Sequence, residues 1–317
     1  MKAPLRLRFL VPFVVFLFLG RGMSNAETND SHAAAALFQR FETVFHSQTS
    51  LLTGSKGGDF IRAPFAFLLG SLEALEKQAP NEVLDNAEAV LVGTKDYSPP
   101  KSGLGMVRST FCYILVLRDK SGLNVSRYFK RPISSTSLGP VWHWSAALEE
   151  FGEDHPRPSS LYAAQIAQSY VLVSNNLEEI EYLAASLRSS ADDNSRVLAR
   201  LHEWEEVGQH KFWGYRRFKQ GRVPGKSDFT TSRISLTTDA LTVYADSREG
   251  MGVLRVVSSS PDDKTAENLN AAEYMPRLAP RGPGIWQATI PLTQEDKQGD
   301  GDSIFLLCWL FGFGAII

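Results

Sequence analysis

The spacing of apolar and polar positions changes along the chain, from a helical beginning to a β-rich remainder. After a polar opening, Ser31 can cap a helix with one apolar face. The apolar positions of that helix are Leu37, Phe41, Val44 and Phe45. A second helix is predicted over residues 59–78, where apolar residues cover most of the surface and Pro64 stands in the first turns, where proline is tolerated.

From residue 83 onward, alternating or continuous apolar runs predict strands. The predicted strands are 83–94, 106–118, 123–130, 170–174, 212–219, 230–237, 241–246, 251–258 and 285–291. Helices are predicted between them at 145–151, 160–168 and 195–207. The run 106–118 is apolar on both faces, which is typical of a central strand covered on both sides. The pattern predicts an α+β fold: a helical N-terminal region followed by a largely antiparallel sheet with inserted packing helices.

The middle of the chain carries a strand followed by a capped helix. After the strand at 170–174, Asn175 or Asn176 caps a helix with Glu178 or Glu179 three residues later, a capping-box pattern. This stretch, QSYVLVSNNLEEIEYLAASL, resembles the strand-then-helix unit of exported bacterial proteins in families of unknown function. The resemblance implies an envelope protein and brings no catalytic residue with it.

The N-terminus has the three parts of a secretory signal peptide. Residues 1–8 are basic, residues 9–20 are apolar, and Ser24-Asn25-Ala26 places small residues at the −3 and −1 positions of a cleavage site. We therefore expect a signal peptide at 1–26, a helical region at 27–82, an α+β domain at 83–302 and an apolar tail at 303–317. This organisation predicts export to the periplasm or cell envelope.

The apolar tail has two interpretations. Residues 304–317 contain no charged side chain. As a helix they would extend about 21 Å, which is shorter than the roughly 30 Å hydrocarbon core of a bilayer. The tail is therefore predicted to be either a buried terminal strand or a membrane-associated segment.

The net charge bears on which partners the protein can bind, and the cysteine content bears on whether it can form a disulfide. The chain has 33 basic and 35 acidic residues, and its net charge of −2 disfavours a nucleic-acid-binding protein. Cys112 and Cys308 are the two cysteines. Export would permit a disulfide between them, but their apolar surroundings favour two buried free thiols. No motif in the sequence calls for a cofactor.

A basic-aromatic segment, residues 210–227, is the main candidate site. It contains no acidic residue. The candidate anion-binding residues are Lys211, Arg216, Arg217, Lys219, Arg222, Trp213 and Tyr215. Cations interleaved with aromatic rings can bind lipid headgroups or an anionic envelope polymer. The alternative is a strand whose aromatic side chains pack inward while its cations lie over the sheet edge.

A metal site is the competing hypothesis. His202, Glu206 and His210 are spaced four residues apart and would share one face of an unbroken helix, as zinc ligands can. Gly208 argues against it, because glycine commonly ends a helix. The favoured function is a binding or interaction module for an anionic partner. The alternatives are a metal-dependent hydrolase using these three residues and a purely structural envelope component.

Overall fold

One antiparallel sheet with helices on both faces organises the molecule. The computed structural model describes residues 25–53, 58–75, 82–95, 110–118, 122–129, 132–136, 139–144, 161–188, 191–218, 238–246, 251–258, 277–291 and 311. The strands are β1 Thr43–Gln48, β2 Ala87–Lys95, β3 Thr110–Leu117, β4 Pro132–Thr136, β5 Gly139–Trp144, β6 Leu161–Ile166, β7 Tyr170–Ser174, β8 Phe212–Arg217, β9 Ala240–Asp246, β10 Met251–Val257, β11 Ala279–Gly282 and β12 Ile285–Pro291.

The described residues also form eight α-helices, which lie before the strands or between them in the chain. They are α1 Asn25–Arg40, α2 Thr49–Thr53, α3 Gly58–Arg62, α4 Ala66–Leu75, α5 Glu82–Asn86, α6 Leu177–Ser186, α7 Ala191–Leu198 and α8 Trp204–Val207. Short 3-10 helices occupy Ala63–Phe65 and Val125–Arg127. This content of helices and an antiparallel sheet confirms the α+β class.

Strand β1 joins the two halves of the sheet. The strand order is β11-β12-β10-β9-β8-β1-β2-β3-β7-β6-β5-β4, and all neighbouring pairs are antiparallel. Phe45 of β1 is opposite Val92 on one side and Gly214 on the other. An N-terminal strand therefore connects a chain-early half, β2 to β7, to a chain-late half, β8 to β12.

Each face of the sheet has its own hydrophobic core, because side chains alternate along every strand. The first face, which carries Phe45, packs against α2 to α5 and also contains Val90, Tyr113 and Phe212. The second face packs against α1 and α6 to α8. Burial on both sides explains the continuous apolar runs of β2 and β3.

Several predicted elements are confirmed. The strand at 170–174 and the helix after it are present, and the Asn176 side-chain oxygen accepts a hydrogen bond of 2.9 Å from the Glu178 backbone N–H. The strands predicted at 212–219, 241–246, 251–258 and 285–291 are present with boundaries within two residues.

Other elements differ from the predictions. The first helix ends at Arg40, so Val44 and Phe45 belong to strand β1 and interrupt the expected helical N-terminal region. Residues 160–168, predicted as a helix, contain strand β6, because pairing with β5 and β7 outweighs the helix preference of its alanines. Residues 123–130, predicted as a strand, contain a 3-10 turn.

The two chain ends lie mostly outside the described residues. Asn25 and Ala26, the last residues of the expected signal peptide, fall in α1, and residues 1–24 are not described. Within the described ranges, no helix is long and apolar enough to cross a membrane. Of the apolar tail only Phe311 is described; it is helical and 1% exposed.

Candidate functional site

The basic-aromatic segment forms a core strand in its first half. Trp213 and Tyr215 of β8 are buried on the second face, where both rings contact Phe38 of α1. Arg216 points to the first face, is buried, and lies 5.0 Å from the Phe218 ring centroid. The aromatic side chains of Phe212, Trp213 and Tyr215 are therefore packed into the core.

The five candidate anion-binding residues that the structure describes do not form one patch. Lys211 is exposed and precedes β8 at the end where Gln48 closes the pairing with β1. Arg216 and Arg217 are at the other end of β8, about 17 Å away at 3.4 Å per residue. Lys219 and Arg222 lie outside the described residues.

Cations from three elements meet where α1 ends. This group, here called the cationic end, consists of Arg40, Lys95 and Arg217. Arg40 closes α1, Lys95 closes β2, and Arg217 closes β8. Sheet register brings them together, because Thr43 of β1 is opposite Thr94 on one side and Arg216 on the other.

Glu179 holds two of these cations in position. Its side chain is 1% exposed, whereas those of Arg40 and Lys95 are 33% and 29% exposed. Arg40 Nε and Nη2 donate to the two carboxylate oxygens at 3.0 and 2.9 Å, and Lys95 Nζ donates to Oε1. Burial raises the pKa of Glu179, but the hydrogen bonds from Arg40 and Lys95 outweigh burial and leave it below its ordinary value.

Arg217 caps the C-terminal end of helix α1. Its Nη2 donates to the carbonyl oxygen of Phe38 and, at 3.3 Å, to that of Phe41. A cation at a helix C-terminus satisfies carbonyls that have no partner within the helix and interacts favourably with the helix dipole. Arg217 therefore has a structural role.

Carboxylates also lie near the cationic end. Glu42 and the exposed Glu178 interact electrostatically with Arg217 and Arg40, respectively. Arg40 stacks on Tyr182, with 4.4 Å between the guanidinium carbon and the ring centroid. Glu179 thus holds Arg40 and Lys95, Glu42 and Glu178 lie near the group, and the side chains of Arg40 and Lys95 still reach the surface.

The sequence pattern missed Arg40, Lys95 and Glu179 as a group. A signal was present, because Glu179 lies four residues before Leu183 on the inward face of α6. A carboxylate on a buried helix face needs a cationic partner. Nothing in the sequence indicates that the partners come from residues 139 and 84 positions earlier.

The three residues of the metal hypothesis are not arranged as ligands. The helix predicted over 195–207 is broken: α7 ends at Leu198, and Glu203 adopts a left-handed conformation (φ 58°) before α8. Glu206 is ion-paired to Arg255, and His210 stacks on Tyr244 with 4.1 Å between ring centroids. In the part of the chain that the structure describes, no three His, Cys, Asp or Glu side chains are grouped to hold a metal ion.

Arg255 organises that second polar cluster. Its guanidinium donates to both oxygens of Glu206 at 2.6 and 2.7 Å and to Glu203 Oε1 at 3.1 Å. Burial lowers the pKa of Arg255, but the two carboxylates outweigh that effect and raise it. Tyr244 donates to Glu206, and burial raises the pKa of Tyr244 to about 12.

A cavity of about 330 Å³ lies beside this cluster. Among the residues that line it are His202, Glu203, Val257, Ser258 and Ile285. The walls are largely apolar, and Glu203 Oε1 is already used by Arg255. The cavity has room for a small molecule.

Comparison with known proteins assigns no family. No protein-family model matches the chain, and no curated protein matches it. Two crystal forms of TP0453 are similar in structure. Form I has a TM-score of 0.40 and 8% identity over 87% of this chain and 97% of that one; form III has a TM-score of 0.38 and 8% identity over 81% and 91%. Likeness at this level supports no conclusion about function.

Proposed function

We propose that the chain is an exported binding module of the cell envelope that contacts an anionic partner through the cationic end. The observation that carries the proposal is that α1, β2 and β8 bring cations to one end of the sheet, where Arg40 and Lys95 share the buried Glu179. Arg40 and Lys95 carry two positive charges and Glu179 carries one negative charge, so these three side chains together have a net charge of +1. The basic residues Lys219 and Arg222 follow β8 directly in sequence.

Preorganisation supports this role. The Arg40 side chain is fixed by two hydrogen bonds and by stacking on Tyr182, so contact with a partner orders few additional rotors. Lys95 Nζ is fixed by Glu179 and lies 5.5 Å from the Phe41 ring centroid. Both side chains are about one-third exposed, so a partner at the surface can reach them.

The proposal of export rests on the sequence of residues 1–26. A basic start, an apolar run and small residues before the expected cleavage point together support a cleaved signal. The mature protein would then meet anionic polymers or lipid headgroups outside the cytoplasm, the partner class expected for a surface with clustered cations.

The test uses two lysines at opposite ends of the sheet. Lys95→Gln removes a charge from the cationic end but keeps an N–H that can donate to Glu179. Lys211→Gln is the matched control, because Lys211 is exposed at the far end of β8. Mature protein is loaded on dextran sulfate resin and, separately, mixed with phosphatidylcholine vesicles with and without phosphatidylglycerol. We expect Lys95→Gln to elute at lower salt than the parent, and Lys211→Gln to elute with it.

The two binding media separate a polymer from a lipid partner. If the parent binds anionic matrices and Lys95→Gln binds equally well, another surface is responsible and the cationic end is excluded. If the parent binds neither dextran sulfate nor phosphatidylglycerol vesicles, the proposed function is wrong.

A further inference from the structure

The cavity beside Arg255 is built by three separate parts of the chain. His202 and Glu203 come from the turn between helices α7 and α8, and Ile285 begins β12. Val257 ends β10 and Ser258 follows it. Because Val257 is opposite Ile285 in the sheet, strand register fixes this part of the wall. The volume of about 330 Å³ is within the range of small-molecule sites.

A tight turn forms another side of the cavity. Pro283 and Gly284, the two residues between β11 and β12, also line it. Gly284 has φ 70°, and a Cβ there would be 2.2 Å from the carbonyl oxygen of Ser258, so this position needs glycine. The Gly284 carbonyl oxygen accepts a hydrogen bond of 2.8 Å from the Ser258 backbone N–H. Backbone contacts therefore hold this wall in place.

Glu203 adopts an unfavourable backbone conformation at the cavity wall. Its φ of 58° is in the left-handed region, which is disfavoured for a residue with a Cβ. Residues in such conformations cluster at ligand sites, where the surrounding structure maintains the strain. This conformation places the Glu203 side chain where it both contacts Arg255 and lines the cavity.

One carboxylate oxygen of Glu203 has no hydrogen-bond donor among the described residues. Oε1 accepts a hydrogen bond of 3.1 Å from Arg255 Nη1, whereas Oε2 is buried without a partner. A buried polar atom is normally satisfied by protein, water or a bound group, and leaving it unsatisfied is costly. A donor placed in the adjacent cavity would supply the hydrogen bond that Oε2 lacks.

The polar cluster behind this wall carries an unbalanced negative charge. Arg255 contributes one positive charge, and Glu203 and Glu206 contribute one negative charge each, so the three side chains together have a net charge of −1. Arg255 donates to both oxygens of Glu206 at 2.6 and 2.7 Å but to one oxygen of Glu203. The charge of Glu203 is therefore the less compensated one, and a cationic donor suits it better than a neutral donor.

We propose that this cavity binds a small organic cation, whose ammonium group donates to Glu203 and whose apolar body packs against Val257, Pro283 and Ile285. A bare inorganic cation would gain nothing from these apolar walls, and the described ranges contain no grouping of three ligands for a metal ion. A neutral apolar molecule would leave Oε2 without a donor. The site belongs to the chain-late half of the sheet and shares no residue with the cationic end.

Isothermal titration of the mature full chain with three probes of one shape tests the role of charge. Phenethylammonium carries the cation and the apolar body, phenethyl alcohol keeps the body without the charge, and phenylacetate reverses the charge. We expect phenethylammonium to bind at least about tenfold more tightly than phenethyl alcohol, and phenylacetate not to bind. Equal binding of the first two probes, or no binding of phenethylammonium up to roughly 10 mM, would overturn the proposal.

Substitution of two neighbouring acidic residues locates the site. Glu203→Gln removes the charge but keeps an oxygen that can accept from Arg255, and we expect the affinity for phenethylammonium to fall about tenfold or more. Glu205→Gln is the matched control, because Glu205 is exposed on α8 and is not among the described residues that line the cavity. Unchanged affinity in Glu203→Gln, or an equal loss in Glu205→Gln, would place the binding elsewhere and overturn the proposal.

A variant of the apolar wall tests the same site without touching an ion pair. Ile285→Trp places an indole ring in the cavity, and we expect it to abolish the binding of phenethylammonium. Circular dichroism that matches the parent confirms that a variant is folded. Retained affinity in folded Ile285→Trp would overturn the proposal, and the comparison of the three probes on the parent needs no variant.

Discussion

Replacing Glu179 by glutamine removes the charge that joins α1, β2 and α6. The change is nearly isosteric, so the volume of this buried side chain is kept. What is lost is the attraction for two cations, together with one of the two oxygens that accept the three hydrogen bonds, because an amide presents only one oxygen.

The expected loss is about 3 kcal/mol in the free energy of unfolding. Breaking a buried ion pair by removing one partner costs about 3 to 5 kcal/mol when the remaining charge stays buried. Here the remaining charges are those of Arg40 and Lys95, which are 33% and 29% exposed and can turn partly to water. The lower end of the range therefore applies.

The assay is urea unfolding of the parent and of Glu179→Gln at pH 7, with Glu178→Gln as the matched control. Glu178 is on the same helix turn but exposed, so its substitution should change stability by no more than about 0.5 kcal/mol. The pKa of Glu179 is lowered in the folded state, so its carboxylate stabilises the fold fully above the unfolded pKa, about 4.5.

Acid titration tests whether Glu179 stabilises the fold through its negative charge. As the pH falls below about 4.5 toward the folded pKa, the parent should lose its advantage over Glu179→Gln. Equal stability of Glu179→Gln and Glu178→Gln at pH 7, or a gap that does not narrow in acid, would refute the interpretation that Glu179 works through its charge.

Two further predictions concern packing and reactivity. Gly214→Ala should lower the free energy of unfolding by about 1 to 3 kcal/mol in urea, because a Cβ there would be 2.4 Å from the Phe45 ring. Gly70→Ala on helix α4, where a Cβ meets nothing within 4 Å, should instead stabilise by up to about 1 kcal/mol, and the reverse order would contradict this reading. Cys112 is a free, fully buried thiol whose pKa burial raises, so in a Cys308→Ser variant it should react with a thiol reagent only after unfolding. Rapid labelling of the native protein would contradict this prediction, because it would show that the reagent reaches Cys112 in the folded state.

Local signals predicted the elements whose pattern agrees with their final environment. The capped helix α6 was predictable because Asn176 satisfies backbone donors by itself, whatever the rest of the chain does. Strands β8 and β10 were predictable because apolar residues run through them. Strand β6 was not, since LYAAQI suits a helix until β5 and β7 supply hydrogen-bonding partners on both sides.

For the candidate site, the sequence identifies the residue types, but the tertiary structure decides where each side chain lies. The sequence identifies the cations and rings of 210–227, but a strand alternates its side chains between two faces, and the sheet sends Arg216 to one and Arg217 to the other. The sheet also places Trp213 and Tyr215 against Phe38 of α1, where both rings are buried. Those outcomes depend on what packs above each face, which no local pattern contains.

By itself the sequence determined the α+β class, the positions of several strands, the capped helix, and the excess of apolar residues that both faces of the sheet require. The tertiary structure alone decided that an N-terminal strand is central, and that Arg40, Lys95 and Glu179 meet although they are far apart in the chain. The physical reason is range: capping and periodicity act within one or two turns of chain, whereas strand order and ion pairing are set by contacts between distant segments.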